Sequence, residues 1–299
     1  MFPAVGQNRL HFSDDPKVWR RHGEALEIPI PKMKPLVEFS PSVEQLLVLN
    51  LSPFLLWVLC IVCPVVLAYL GLLLTRRLIP NRFLSQHHDV TGAIFGALGT
   101  IYGIFLAFIV ATTWQYYSAS GSNVVQEARC LGDLYSNAKA CPPEFQDEIR
   151  PIIREYRDTL VNQEWKSLER GQAAPQATHL LNQLTDAYAR HKVSDASEGA
   201  FFQESVQNLN RLKELRSSRI DDASSGLIPF LWCVLLAGGA ATISFTFLFA
   251  PQNIHAQAIM AMLLTGVICL TLYTIVNLDF PFSGLVAISP DALQKLDLK

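Results

Sequence analysis

Charge is what this 299-residue chain lacks most: Lys, Arg, Asp and Glu together make up 17% of it, where soluble domains average about 25%. Neither sign dominates. The 24 basic and 26 acidic residues leave a formal charge of −2, so no basic patch points to nucleic acid. Signatures of catalysis are missing too. The chain has no GxSxG, no HExxH, no Walker loop and no strand-linked GxGxxG, and each of these places a nucleophile, a metal or a phosphate cradle. Cysteine is sparse, and no Cys/His spacing suits zinc. These absences argue against an enzyme and call for no cofactor.

Hydrophobic residues are abundant instead, at 50%. They gather in four runs: residues 46–74, 90–113, 226–250 and 256–278, none of which holds an Asp, Glu, Lys, Arg or His. About 20 apolar residues cross a hydrocarbon core as a helix, and backbone groups in lipid must be satisfied internally. The expected fold is therefore all-α and polytopic: four transmembrane helices in two hairpins, with a helical extramembrane domain between spans two and three. The expected segments are a Pro-rich tail (1–45, with Pro3, Pro16, Pro29, Pro31, Pro35 and Pro41), a first hairpin (46–113), the helical domain (114–225), a second hairpin (226–280) and a C-terminal tail (281–299). The first run lies too far from Met1 to be a signal peptide.

The domain's apolar residues recur at helical spacing, as in Ile149, Ile152, Ile153, Tyr156 and Leu160. Breaks fall at Pro142-Pro143, Gly171–Pro175 and Ser194–Gly199. Four helices are expected, the first continuing span two and the last running into span three. Cys130 and Cys141 would lie about 16 Å apart on one helix, too far for a disulfide. Arg76, Arg77 and Arg82 follow span one closely, and the positive-inside rule then favours a cytoplasmic loop and an extracytoplasmic helical domain. The expected location is a cell membrane, the inner one if the cell is Gram-negative.

Span two is the most informative stretch. Gly92, Gly96, Gly99 and Gly103 share one helical face, at about 1 kcal/mol each relative to alanine. Two readings fit. Gly92 and Gly96 can let a neighbouring helix approach closely, or the face and its edges, with Phe95, Gly99, Tyr102, Gly103 and Phe105, can line a narrow pore. His87, His88, Asp89 and His255 lie together on the loop side. They are interfacial caps, or weak candidates for a metal or proton site. On the domain side, Glu127, Arg216, Arg219, Asn277 and Asp279 can form ion pairs at the membrane rim or select ions there.

Several of these stretches together resemble the bacterial bestrophin-like domain family. They are His87–Phe108, Glu214-Leu215-Arg216-Ser217-Ser218-Arg219, Pro229-Phe230-Leu231-Trp232, Leu278-Asp279-Phe280-Pro281-Phe282-Ser283-Gly284 and Ile288-Ser289-Pro290-Asp291-Ala292-Leu293. The resemblance covers roughly residues 46–295. It implies a bacterial homo-oligomer in the lipid bilayer, conducting inorganic ions, anions by analogy with bestrophins, with Phe95, Tyr102 and Phe105 as span-two aromatics of the pore. Only Asp221-Asp222 is available where bestrophins carry an acidic calcium clasp, so calcium gating is not implied. The competing expectation is a non-conducting membrane scaffold or signalling protein whose helical domain binds a partner.

Overall fold

The computed structural model describes residues 52–78, 88–249 and 253–298. Among these there is no strand, and four helices are long and apolar enough to cross a membrane. The protein is an all-α, multi-pass membrane protein.

Span one, α1 (residues 53–78), begins at the cap Ser52, whose hydroxyl accepts the Leu55 N–H, with Pro53 in the first helical position. Its course is relaxed by a π-turn at Val58–Val62 before it continues as Cys63–Leu78. Span two is part of α2 (His88–Asn137), a 50-residue helix about 75 Å long. It crosses the membrane and then forms the central stalk of the helical domain. A 3₁₀ turn at Ala138–Ala140 and the Pro142-Pro143 pair end it.

Three further helices pack on this stalk. The first, α3, runs from Pro143 through a second π-turn, Leu160–Glu164, to Leu168. Next come α4 (Pro175–Arg190) and α5 (Ala196–Ser224). The link before α5 is closed by a reciprocal cap: Asp195 accepts the Glu198 N–H, while the Glu198 carboxylate accepts the Ser194 N–H. Leu131, Leu134, Ile149, Ile153, Leu184 and Leu212 are fully enclosed in the domain core. Burying one such side chain is worth about 1.5–3 kcal/mol, and this core offsets the ordering cost of the stalk.

The last helix of the domain does not run unbroken into span three. It stops at Ser224, and span three, α6 (Pro229–Thr246), starts after a short extended link. Pro229 cannot continue a helix from behind, and both Asp279 carboxylate oxygens accept the Leu227 N–H, at 2.9 and 3.0 Å. Span four is α7 (Ile254–Asp279). Spans three and four pack against each other. Span one, however, packs chiefly on α7 rather than on α2. Span one also touches the end of α6, where the ring of Phe247 lies 3.0 Å from the position of a Cβ on Gly71.

Residues 281–298 do not trail off as a tail. They climb back along the stalk, and Leu293 and Leu298 enter the domain core. Arg154 and Arg157 donate to the carbonyls of Leu298 and Leu296, and Trp165 donates to that of Ile288. The one-turn helix α8 (Asp291–Gln294) packs on α2, and Leu296 fills the space beside Gly132.

Candidate functional site

Within the membrane, α2 has two different sides. Tyr102, Leu106 and Ile109 are buried against α6 and α7, together with Trp232, Leu235, Ile268 and Ile275. On the other side Ile101, Ile104 and Phe108 stand 69%, 67% and 67% exposed, flanked by Ala97, Thr100, Ala107 and Ala111. A helix half-covered in its own protomer and bare opposite leaves that side to lipid or to another chain.

The sequence candidates separate across these sides. Tyr102 turns inward. Its hydroxyl donates to the Leu235 carbonyl at 2.9 Å, and a Cβ added at Gly238 would meet its ring at 2.7 Å and one at Gly239 its hydroxyl at 2.9 Å. It pins α2 to α6 and does not face the bare side. Phe105 is half-buried against the same cluster. Phe95 is also half-buried, edge-on to Phe249 at 5.4 Å and stacked near Phe245 at 6.4 Å. The packing expected at Gly92 and Gly96 is absent within the protomer, because a Cβ at 92, 96, 99 or 103 would meet nothing within 4 Å. The glycines that receive a side chain of α2 in the membrane are instead Gly238 and Gly239. Sequence spacing missed this, since the bulky partner lies on another span.

The charged residues expected at the rim lie deeper in the domain. Glu127 sits about 21 Å beyond Thr113 along α2, and Glu127 and Arg219 are completely buried. Arg219 donates to both Glu127 oxygens at 2.7 and 2.9 Å and to Glu164 at 2.8 Å. Arg216 holds Glu164 in a two-pronged pair, at 3.0 and 2.6 Å, and also reaches Thr178. The Arg219 guanidinium lies over the Trp165 ring at 5.0 Å. Glu164 was not singled out from the sequence; the π-turn of α3 carries it into the core. Burial pushes its carboxyl up, but the Arg216 hydrogen bonds and the two guanidinium charges outweigh this and hold it below the usual carboxylate range. The same carboxylates outweigh burial at Arg219 and hold its guanidinium above its ordinary value. Side chains this enclosed are out of reach of ions crossing a rim, so their geometry supports pairing and not selection.

Asn277 donates to the Tyr273 carbonyl and accepts the Leu285 N–H, while Asp279 caps the link before α6. Both work as structural joints where the spans meet the domain. Beside them Asp222 accepts from Tyr116 and Ser120.

His87 lies outside the described residues, and so do the side chains of His88 and Asp89. His255 is exposed, and its N–H is accepted by the Asn253 side chain. Among the described residues no cluster of three or more His, Cys, Asp or Glu side chains is placed to hold a metal. Cys130 and Cys141 are both buried free thiols.

A model of the bestrophin-like domain matches residues 62–293. Among solved structures, the fold is similar to a bacterial bestrophin homologue from Klebsiella pneumoniae, with TM-score 0.55 and 13% identity over 78% of this chain and 93% of that one. A substituted form of such a homologue gives TM-score 0.56 and 14% identity, over 78% and 95%. A crystal structure of a membrane protein gives TM-score 0.58 and 13% identity, over 78% and 93%. Among curated proteins nothing matches. With the family match spanning most of the chain, this protein belongs to the bestrophin-like domain family.

Proposed function

We propose that the chain is one subunit of a homo-oligomeric ion channel whose axis is lined by the bare side of α2. The observation that carries this reading is the two-sidedness of α2 in the membrane. Its inward side is anchored by Tyr102 and Leu106, and its outward side is uncovered at Ile101, Ile104 and Phe108 over the central turns of the span. Copies arranged with these sides facing one another form an apolar neck, a constriction that passes ions only when wetted. In this reading Phe95, Tyr102 and Phe105 support the wall from behind, and Ile104 and Phe108 are the narrow point. The favoured permeant ion is an anion, from the resemblance to bestrophins. The loop after span one is cytoplasmic and the helical domain extracytoplasmic, as the Arg76-Arg77 pair favours.

Flux through liposomes reconstituted with the purified protein tests this, using chloride and potassium gradients in parallel. Ile104→Ala and Phe108→Ala are expected to raise chloride flux several-fold, and Phe105→Ala to change it little. A well-folded oligomer without flux for either ion overturns the reading. A soluble partner retained by residues 114–225 would then favour the scaffold.

A further inference from the structure

Beside the glycine face of α2, two adjoining cavities of about 550 and 440 Å³ share Phe95 and Leu264 and run between α2 and α7. From the geometry we infer that this groove binds one acyl chain of an anionic phospholipid, with the headgroup phosphate held at the Arg76-Arg77 end. The inference rests on membrane placement, not on conduction.

Three observations select the occupant. The first is the chemistry of the wall. Thr100, Thr242 and Thr246 each donate the hydroxyl to a carbonyl of their own helix. The Gln257 amide is likewise consumed, accepting from Arg76 and donating to the Thr246 and Phe249 carbonyls. A wall whose donors are already engaged within the protein suits hydrocarbon better than a polar ligand. The second is length. The glycine floor from Gly92 to Gly103 extends about 16 Å, close to one leaflet of a core about 30 Å thick. Beyond it Leu106 is buried against α6 and closes the floor. A packed helix from a second copy would need a seam along the whole span, whereas an acyl chain needs one leaflet. The third is charge. The open end meets Gln257, which is held by Arg76, and the next residue, Arg77, is exposed in the last turn of α1. A guanidinium at the mouth of an apolar groove complements a phosphodiester above its acyl chains.

Native mass spectrometry of the full chain, purified in detergent and given equimolar phosphatidylglycerol and phosphatidylcholine, tests the site. The wild type is expected to retain phosphatidylglycerol several-fold over phosphatidylcholine. Gly96→Leu and Gly99→Leu fill the groove and are expected to cut retention about tenfold, with elution as the same species as control. Arg77→Gln is expected to remove the preference between the two lipids while retention persists. In the unsubstituted protein, a phosphatidylglycerol with a diazirine acyl chain is expected to label residues 92–106 and 257–271. Undiminished retention in the filled variants, or labelling confined to other spans, overturns the site. So does a Gly96→Cys variant that cross-links between copies in the membrane, because a second copy then occupies the groove.

Discussion

Tyr102 and the Gly238-Gly239 pair show how one side chain sets the register of two spans. The ring occupies the volume a Cβ would need, and the hydroxyl meets the Leu235 carbonyl. In lipid there is little hydrophobic gain between helices, so close packing and such a bond decide which faces meet. Gly238→Ala forces the ring away and is expected to cost about 1–3 kcal/mol, as overpacking does. Tyr102→Phe keeps the packing and is expected to cost about 0.5–1.5 kcal/mol. Thermal unfolding in detergent compares the two. The Glu127–Arg219–Glu164–Arg216 network makes the second residue-scale case. Glu164→Gln leaves two enclosed guanidinium groups with one full carboxylate, and about 3–5 kcal/mol is expected to be lost. The pH dependence follows from the same carboxyl. Its folded pKa lies below the ordinary 4.5, so its stabilisation is fully present above about pH 4.5 and lost as pH falls through the folded value. Melting temperature in acid should therefore drop for the wild type, and less steeply for Glu164→Gln.

At the scale of elements, the joints between membrane and domain are side-chain caps rather than continuous helix. Asp279 ends α7 and holds the link that starts α6, with Gly226 close enough that a Cβ would lie 3.0 Å from the carboxylate. Asp279→Ala frees that link, and hydrogen exchange over residues 224–228 is expected to speed up at least tenfold. The return of residues 281–298 is a second such element. Its anchor, Leu293, has no exposed surface, so Leu293→Ala is expected to cost about 2–5 kcal/mol. Unfolding of the purified protein checks this, together with susceptibility of the C-terminal segment to protease. Much of this scale was legible from residue order. Among the described residues each long apolar run carries a helix, α2 and its 3₁₀ turn end at the Pro142-Pro143 break, and Ile149 to Leu160 lie on α3. The return of the C-terminal segment was not legible, because a few apolar residues after Pro281 look the same whether solvated or docked. The π-turn that brings Glu164 inward was equally silent, since one extra residue in a turn leaves no mark in composition.

For the whole molecule, sequence alone determined the membrane class. Four uncharged runs have no solvent but lipid, and that follows from free energies of transfer that depend on residue type and run length. It also showed that the segment between spans two and three is charged and helically spaced, and the ordered motifs from His87 to Leu293 carried the family. Only the tertiary structure decided which side of α2 is bare. Helical spacing orders residues around an axis but does not say which angle another helix covers; that depends on Gly238 and Gly239, more than 130 residues away from Tyr102 in the chain. For the same reason Tyr102 left the set of outward candidates, and Ile104 and Phe108 entered it. The charged residues moved from the rim to the core because burial of a charge depends on a partner, and Arg219 finds Glu127 and Glu164 only once α2, α3 and α5 have packed.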